Sequence, residues 1–588
     1  MSDFVNPKPT PPLTRSRRPY AVLPLAWAVV VLVLTLTTSD EMPRTPVWEL
    51  LSFDTAAHAG VFVVLAGLSW FSLHRQHRWP WLVRPVGWVV LAGSVLFGAV
   101  IEVLQMTMRL GRHGEWSDLL SDGIGAALAV GVATLWTRRT ACKTQRLACI
   151  VGLLLVTSTA QAQDMARARR TIATLAAPQM HGRGYVRQGE HLAAAYLRAR
   201  LKELKLEPLA PDYTQPFTLD VNTFPGQMRL TVAPVSGSMK SIISELIPGR
   251  DFIAAPKSRS ASGPGSAILL DTSCFSVPSA QPEMQRLARH LLAGDAANAF
   301  LVLTARDEQR LTTLPPSLRQ SLDSVTNRIV LQPKLTASLA SAQGIGIRIE
   351  ALSERVNWHA QNEILGLQID AQLQRNYQTQ NLAAIIRGTA QPDSFLIVSA
   401  HYDHLGMMGK DVYFPGANDN ASGVALLLEL AAHYARPENR PAYSVVFLLF
   451  GAEEAGLVGS SYFVAHPLVP LKSIKFLFNL DLLGTGEQGA TVVNGRLLAA
   501  PYRRLLNLNE AHCYLPALGA RGRAANSDHF PFSEAGVPAF FMYTRGGSAA
   551  YHDVNDRPEA LSLAGFIGAF GLVRDFLNEE GAAPAAKK

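Results

Sequence analysis

Apolar residues follow two different patterns along this chain. In the first part, long apolar runs alternate with short polar segments, and each run is near the length that crosses a bilayer as a helix. Four such runs lie at about 20–38, 57–73, 85–106 and 119–136. They predict an all-α transmembrane bundle of four helices over residues 20–140, preceded by a basic cytoplasmic tail at 1–19.

A fifth apolar run, 147–157, is shorter and follows Lys143 and Arg146. The segment 141–163 fits a fifth transmembrane helix. It equally fits an internal signal peptide cleaved after Ala162, because small residues follow its apolar core. Under both interpretations the rest of the chain lies outside the cytoplasm.

Beyond residue 163 the apolar runs become short and alternate with amphipathic segments. Gly189 to Leu206 is apolar at helical spacing. Past Asn381, continuous apolar runs bounded by turns indicate buried strands of a mostly parallel sheet with helices on both faces. These runs lie at 395–400, 444–450, 476–480 and 539–543. The predicted fold class for 164–211 together with 381–580 is therefore α/β.

Residues 212–380 interrupt this pattern. Their strand-like runs are separated by clusters of Pro, Ser and Gly, and one helix is predicted near 282–292. We expect an inserted β-rich domain, which resembles in pattern and position the protease-associated insert of some secreted peptidases. A generic β-rich lid fits the same pattern. The last residues, 581–588, are predicted to be a tail.

The charge distribution bears on partners and location. The 588-residue chain has a formal net charge of +8, but its basic residues concentrate beside the apolar runs. The excess of basic over acidic residues lies in three segments, 1–20, 74–84 and 137–146. This is the positive-inside pattern of membrane proteins. We therefore expect a lipid bilayer and no nucleic acid as partner. The predicted location is the inner membrane, multi-pass, with the large domain on the periplasmic or extracellular side.

Several polar residues lie within or beside the predicted membrane helices, where each is costly in hydrocarbon. They are Asp54, His58, Glu102, Gln105, Arg112, Asp118 and Asp122. These residues either join helices to one another or form a polar pocket at one membrane face. The pattern D-x-x-x-H-x-x-x-F, then E-x-x-Q, then R-x-x-x-x-x-D-x-x-x-D resembles the VanZ-like membrane domain over about 20–140. Thr55 stands where that family usually has Lys.

Histidines and carboxylates gather at the carboxyl ends of the predicted parallel strands, where such sheets bind ligands. They are His401 after the first strand, Glu453 and Glu454 after the second, Asp481 after the third, His552 after the fourth, and Asp419 before a helix. Asp419 alone would be taken for a helix cap, but the coincidence predicts a metal site. Two histidines and three of these carboxylates suit zinc, which leaves Glu453, beside a ligand, free to act as a base. They fill two sites only if one carboxylate is shared, which places two metals about 3.5–4 Å apart.

The motifs around these residues resemble the di-zinc aminopeptidase family of the aminopeptidase Y and glutamate carboxypeptidase II type, peptidase family twenty-eight. In order, they are HYDHLG, GANDNASG, GAEEAGLVGS, NLDLLG, SDHFPF and YHDVND. MHGRGY and the helix after it are similar to the start of that family's domain, so the likeness covers about 165–580. It implies a zinc exopeptidase fold with two Zn²⁺ per chain.

The resemblance also implies which residues hold the metals. Asp419 would bridge both ions. His401 and Asp481 would complete one site, and Glu454 and His552 the other. Leu482 and the residues after His552 depart from the commoner family pattern without changing a ligand.

Five further features follow from the same resemblance. Glu453 matches the general base, which takes a proton from the water between the metals. Tyr551 matches the donor to the tetrahedral oxyanion. Asp403 would accept the other ring N–H of His401, and the Asp419–Asn420 peptide is expected to be cis. Ser527-Asp528-His529 would have a supporting role in the pocket.

The predicted function is that of a zinc-dependent exopeptidase, a hydrolase of the metallopeptidase class that acts as an aminopeptidase on peptide substrates outside the cytoplasm. Carboxypeptidase action is an alternative, since Arg521, Arg523 and Arg545 would be able to hold a substrate carboxylate. Glutaminyl cyclisation is disfavoured because it uses one metal. A non-catalytic envelope binding protein is the remaining alternative, and the retention of every ligand and of Glu453 disfavours it.

Overall fold

The computed structural model describes residues 22–36, 53–75, 86–108, 123, 125–131, 133, 164–235, 243–294 and 296–582. The chain divides into two compact units, Met1–Thr159 and Ala160–Lys588. The division falls inside the segment 141–163, which was predicted to separate the membrane bundle from the large domain. That segment and the basic tail at 1–19 lie outside the described residues.

The described part of the first unit is helical. Its helices are α1 (Val22–Leu36), α2 (Phe53–Arg75) and α3 (Val86–Met108), and they coincide with the first three apolar runs. Val31, Phe62 and Ile101 form a small buried cluster between them, and Trp27 Nε1 donates to Val61 O at 3.2 Å. Within the described ranges, none of the helices combines the length and the apolar character that a bilayer crossing requires.

The predicted polar pocket of this unit falls on side chains that the structure does not describe. These are Asp54, His58, Glu102, Gln105, Arg112, Asp118 and Asp122. The pocket therefore stays a prediction.

The second unit combines helices with two large sheets. Its helices are α4 (Met165–Leu175), α5 (Gly189–Glu203), α6 (Gln281–Ala293), α7 (Ala305–Arg310), α8 (Pro316–Asp323), α9 (Gly423–Tyr434), α10 (Val458–Ala465), α11 (Ala499–His512), α12 (His529–Glu534) and α13 (Phe566–Glu580). Its strands are β1 (Glu207–Pro208), β2 (Thr214–Thr223), β3 (Met228–Pro234), β4 (Ser244–Leu246), β5 (Phe252–Ala254), β6 (Ala261–Leu269), β7 (Ala299–Thr304), β8 (Asn327–Gln332), β9 (Arg348–Leu352), β10 (Gln361–Ile369), β11 (Gln372–Ile386), β12 (Gln391–His401), β13 (Met407–Met408), β14 (Val412–Tyr413), β15 (Tyr443–Phe450), β16 (Ile474–Leu480), β17 (Ala490–Val493), β18 (Leu518–Ala520) and β19 (Ala539–Thr544).

The larger sheet has nine strands in the order β1-β11-β15-β12-β16-β19-β17-β18, with β2 also paired to β11. Its four central strands, β15, β12, β16 and β19, run parallel and are the four predicted apolar runs. Antiparallel pairs lie on either side of them, so the sheet is mixed.

Both faces of this sheet are covered, which explains why its central strands read as unbroken apolar runs. One face packs against α4, α5, α9, α11 and α13 in the largest buried cluster. The other packs against α10 and α12, where Phe463 and Phe532 meet Phe450. The α/β fold with helices on both faces is as predicted.

The inserted domain is an eight-stranded sheet in the order β4-β3-β10-β6-β7-β8-β9-β5, together with α6 in the predicted position. Its strands span 228–369, which corrects the predicted boundaries of 212 and 380. Those boundaries fall in or beside β2 and β11, which form a long antiparallel ribbon within the larger sheet. The first half of β11 is polar and exposed, so its sequence lacked the apolar signal of a strand.

Candidate metal centre

The parallel strands at the centre of the larger sheet bring the predicted ligands to one edge. β12 ends at His401, which lies opposite Phe450, the last residue of β15. Glu453 and Glu454 follow β15 after a short turn, and Asp481 follows β16 directly. Because neighbouring parallel strands end at the same edge, these four side chains are adjacent in space although up to 80 residues separate them along the chain.

Asp419 reaches this edge from the loop before α9. The Asp419–Asn420 peptide is cis, as predicted. The Asn420 side chain fixes the loop to the end of β16: its amide donates to Leu480 O at 2.9 Å, and its carbonyl oxygen accepts from Gly423 N at 3.0 Å. These bonds place the Asp419 carboxylate between the two predicted histidines.

The two oxygens of Asp419 face different histidines. Oδ1 lies 3.3 Å from His401 Nε2, and Oδ2 lies 3.1 Å from His552 Nε2. Each histidine is also close to a second carboxylate: His401 Nε2 to Asp481 at 3.4 Å, and His552 Nε2 to Glu454 at 3.2 Å. The predicted ligands therefore form two groups that share Asp419.

The chemistry and spacing of these groups fit two metal ions. With metal–ligand bonds of about 2.0–2.1 Å, neighbouring ligand atoms of a tetrahedral site lie about 3.3 Å apart, which is the separation observed here. Asp481 Oδ1 is buried and has no hydrogen-bond partner among the described residues. A buried, unpaired carboxylate oxygen beside a histidine nitrogen is what a metal ligand requires.

The adjacent residues Glu453 and Glu454 differ in acidity. Burial, which disfavours the charged form, raises the pKa of Glu453 well above its ordinary value. Burial and the Asp419 carboxylate act the same way on Glu454, but His552 and His404 outweigh both and lower the pKa of Glu454 to about 2. Carboxylates whose environments separate their pKa values in this way divide into proton-transfer and charged roles.

Asp403 does not make the predicted contact through its carboxylate. The His401 Nδ1 atom lies 3.3 Å from the backbone carbonyl oxygen of Asp403 and 3.7 Å from its Oδ1. The carboxylate instead accepts the backbone N–H groups of Glu453 at 3.1 Å and Glu454 at 3.3 Å. Asp403 therefore orients the Glu453-Glu454 turn with its side chain and the His401 ring with its backbone.

Two residues that the sequence did not single out, Arg183 and Asp556, hold the loop around Asp419 from opposite sides. The fully buried Arg183 guanidinium donates to backbone carbonyl oxygens of the loop, including those of Gly416 at 2.8 Å and Asp419 at 3.1 Å. The Asp556 carboxylate accepts the backbone N–H groups of Asn418 at 2.9 Å and Asp419 at 3.0 Å. Both residues lie in motifs already noted, MHGRGY and YHDVND, but their contacts are with backbone atoms, which no motif reveals.

His404 was also missed. It is fully buried, and its Nδ1 lies 2.7 Å from Glu454 Oε1, so it fixes one oxygen of Glu454 while the other faces His552. His404, Asp419 and Glu454 also lie close enough to share an ion. Its position three residues after His401, in the same HYDHLG motif, was the available signal.

A cavity of about 190 Å³ opens onto the metal centre. It is lined by His401, Asp419, Glu453, Asp481, Leu482, Arg521, Asn526, Phe541, Tyr543, Tyr551 and His552. Tyr551 is 45% exposed and stacks on the His552 ring with centroids 4.0 Å apart. Of the three arginines considered for a substrate carboxylate, Arg521 lines the cavity, whereas Arg523 pairs with Glu534.

The Ser527-Asp528-His529 motif lies behind the centre. Ser527 Oγ donates to Asp481 Oδ2 at 2.8 Å and accepts from the Asn479 amide at 2.8 Å, which fixes the Asp481 carboxylate. Burial raises the pKa of Asp528 to about 7. Within this motif, the contact with a predicted ligand is therefore made by Ser527.

Comparison with known proteins places both parts of the chain. Residues 381–576 match Peptidase family M28, and residues 13–137 match VanZ/LLP1. Aminopeptidase YwaD of Bacillus subtilis is 28% identical over 248 residues, 40% of this chain and 50% of the relative. A probable zinc metalloprotease of Pyricularia oryzae is 38% identical over 113 residues, 18% of this chain and 22% of the relative. The chain thus spans half or less of the length of these relatives.

A solved structure shows the same fold. A Peptidase M28 precursor from Shewanella amazonensis SB2B aligns with a TM-score of 0.52 and 15% identity, over 72% of this chain and 95% of that one. The two resemblances expected from the sequence motifs are confirmed by the family matches. Residues 381–576 therefore belong to peptidase family M28, and residues 13–137 belong to the VanZ/LLP1 family.

Proposed function

We propose that the second unit is an aminopeptidase that uses two zinc ions per chain. The observation that carries this proposal is the arrangement around Asp419, whose two oxygens each face a separate pair of one histidine and one carboxylate. His401 and Asp481 would hold one ion with Asp419, and Glu454 and His552 the other. Zinc supplies a Lewis acid and makes hydroxide available near neutral pH.

The remaining chemistry belongs to two side chains of the cavity. Glu453 would accept a proton from the attacking water and return it to the amine that leaves, and a raised pKa suits a base that works near neutral pH. Tyr551 would donate its hydroxyl hydrogen to the developing oxyanion. Burial and the neighbouring carboxylates raise the pKa of Tyr551, so it keeps that hydrogen.

The shape and charge of the cavity favour removal of one residue from the amino terminus. A space of about 190 Å³ beside the proposed metal centre has room for a substrate side chain. Glu453 lines it and would hold no ion, so its carboxylate would attract a free α-ammonium group. The name of Aminopeptidase YwaD agrees with this choice.

Carboxypeptidase action is a second candidate, and the position of Arg521 favours it. Arg521 lines the cavity, and an arginine can hold a carboxylate through two parallel hydrogen bonds.

For location, we propose a multi-pass protein of the inner membrane with the peptidase on the periplasmic or extracellular side. The support is the VanZ/LLP1 match over 13–137 and the concentration of basic residues beside the apolar runs. Reaction of engineered surface cysteines with a membrane-impermeant thiol reagent, in intact cells, tests the orientation. Labelling of the second unit only after the cells are opened would contradict it.

The activity test uses the full-length chain, purified in mild detergent, treated with a chelator and titrated with zinc. We expect zinc-dependent hydrolysis of aminoacyl-nitroanilides that reaches its maximum at two equivalents. Hydrolysis of N-acetylated peptides from their free carboxyl ends would select the second candidate. Absence of zinc-dependent hydrolysis across both substrate panels would refute the proposed activity.

A further inference from the structure

The two proposed histidine ligands are held by different parts of the second unit. His401 ends a central strand of the larger sheet and is buried. His552 lies in the loop between Thr544 and α13, outside every helix and strand. Its φ is +55°, in the left-handed region that residues other than glycine seldom adopt. Gly546 and Gly547, in the same loop, also have positive φ.

A segment of the inserted domain holds His552 through direct hydrogen bonds. Residues 334–340, here called the strap, leave β8 without regular secondary structure and run beside His552. The N–H of Ala337 donates to His552 O at 2.9 Å, and the His552 ring nitrogen Nδ1 lies 2.9 Å from Ala337 O. The backbone of one strap residue thus holds both the backbone and the ring of His552.

The contact with Ala337 also decides which ring nitrogen faces the metal centre. A backbone carbonyl oxygen can only accept a hydrogen bond, so Nδ1 of His552 carries the hydrogen. In the neutral ring, Nε2 then presents its lone pair, and Nε2 is the atom that faces Asp419 and Glu454. Contacts of this kind orient metal-binding histidines in general, but here the acceptor lies in a segment of the inserted domain.

The strap is itself fixed on both sides. Leu335 and Ala337 are buried in the core of the inserted domain. Ala340 O accepts from the N–H of Asn222, in β2 of the larger sheet, at 2.8 Å. On the other side, Lys334 Nζ donates to Ala549 O at 2.7 Å and lies 3.8 Å from Asp553. The strap therefore transmits the position of the inserted sheet to the loop of His552.

We propose that the strap is a working part of the metal centre, with Ala337 as the positioning residue that makes His552 a competent ligand. The inserted domain would then govern the metal site formed by Glu454 and His552, while the site of His401 and Asp481 depends on the larger sheet. This inference rests on the proposed binding of two zinc ions.

The test compares backbone variants at one position. Ala337→Pro removes the N–H that His552 O accepts, whereas Ala337→Gly keeps both backbone groups. In the full-length chain, competition with a fluorescent chelator gives the affinity of each zinc ion. We expect Ala337→Pro to weaken the binding of one zinc ion about 10–100-fold and to leave the affinity for the other unchanged. Ala337→Gly should bind both ions with the affinity of the wild type.

A second variant covers the case in which proline prevents folding. Lys334→Met removes the outer attachment of the strap at a half-exposed side chain, and Lys257→Met, at an exposed lysine of the same domain, is its matched control. We expect Lys334→Met to bind one zinc ion more weakly and the other as the wild type does. Lys257→Met should bind both ions with wild-type affinity. Far-UV circular dichroism establishes that the variants are folded.

Two results would overturn the inference. One is wild-type affinity for both zinc ions in Ala337→Pro and Lys334→Met. The other is an equal loss of affinity for both zinc ions, which would assign the strap a general role in the stability of the fold. Failure of the wild-type chain to bind two zinc ions would instead refute the proposed function, so the two failures are distinguishable.

Discussion

Arg183 offers the sharpest test of how the loop around Asp419 is held. Its guanidinium is fully buried and donates five hydrogen bonds, all to backbone carbonyl oxygens. The acceptors are those of Leu175, Tyr402, Pro415, Gly416 and Asp419, at 2.7–3.1 Å. Three of them belong to the loop that carries the shared carboxylate, so the side chain joins that loop to the end of β12.

Replacement by lysine keeps the charge and removes donors. An ammonium group has three N–H donors, so at least two of the five carbonyl oxygens lose their partner in Arg183→Lys. Leaving a buried polar group unpaired costs about 1–3 kcal/mol, which gives a loss of about 2–6 kcal/mol for two. A destabilised loop also positions Asp419 poorly, and weaker zinc binding should follow.

Thermal unfolding with and without zinc separates the two effects. The unfolding temperature of chelator-treated Arg183→Lys reports the loss of stability. The further rise in the unfolding temperature when zinc is added reports the affinity for zinc. A ligand at 100 times its Kd stabilises the folded protein by about 2.7 kcal/mol, and a tenfold weaker affinity removes about 1.4 kcal/mol of that stabilisation. The matched control is Arg187→Lys, four residues away, where an exposed guanidinium donates to Lys410 O.

Two results with Arg183→Lys would contradict this account of the loop around Asp419. If Arg183→Lys unfolds within about 0.5 kcal/mol of Arg187→Lys, as ordinary surface changes do, the five contacts do not hold the loop. If Arg183→Lys is strongly destabilised yet gains as much from zinc as the wild type, Arg183 supports the fold but not the position of Asp419.

Three further changes test other parts of the site. Glu453→Gln should lower kcat about 10²–10⁴-fold with unchanged zinc affinity, measured with aminoacyl-nitroanilides. Tyr551→Phe should lower kcat about 10²–10³-fold with little change in KM, in the same assay. Glu190→Gln should remove a pH dependence of stability: burial raises the pKa of Glu190 from 4.5 to about 8, which corresponds to at most about 5 kcal/mol.

The direction of the Glu190 effect follows from proton binding. Below pH 4.5 both the folded and the unfolded chain hold this proton. As the pH rises towards 8, the unfolded chain releases the proton first, so the wild type loses stability over this interval and Glu190→Gln does not. Unfolding of the chelator-treated proteins at pH 5, 7 and 9 would show a widening difference in the free energy of unfolding between Glu190→Gln and the wild type. A constant difference would contradict the prediction.

Unchanged kcat in Glu453→Gln or in Tyr551→Phe would remove that residue from its proposed role. The control for both is Glu438→Gln, at an exposed glutamate.

The parts of the fold that the sequence predicted well are those that side-chain polarity alone determines. The strands β12, β15, β16 and β19 are buried on both faces, so their apolar runs stand out. Four of the predicted ligands, His401, Glu454, Asp481 and His552, stood out because each follows one of those strands, and the parallel order brings strand ends together. By contrast, the polar first half of β11 concealed the ribbon that it forms with β2, and the boundaries of the inserted domain were misplaced there.

The parts of the site that the sequence did not predict act through backbone atoms. Arg183 binds carbonyl oxygens, Asp556 and the Asp403 carboxylate bind N–H groups, and Ala337 contributes only its own backbone. Every residue carries these groups, so no residue type at the receiving position signals the contact. Asp403 illustrates the limit: its type and spacing indicated a partner for His401, whereas its carboxylate is used by a turn 50 residues further along the chain.

The balance of buried charge explains why these contacts accompany this metal centre. The carboxylates of Asp403, Asp419, Asp481, Asp528 and Asp556 are all buried at one edge of the sheet, where uncompensated charge is very costly. Arg183 supplies one buried positive charge, and burial lowers its pKa only to about 10, so it stays protonated. One guanidinium cannot balance the whole group, whereas two divalent ions at the shared Asp419 would. Metal binding and the stability of this edge are therefore coupled, and the loops that present Asp419 and His552 need fixed partners in Arg183, Asp556 and the strap.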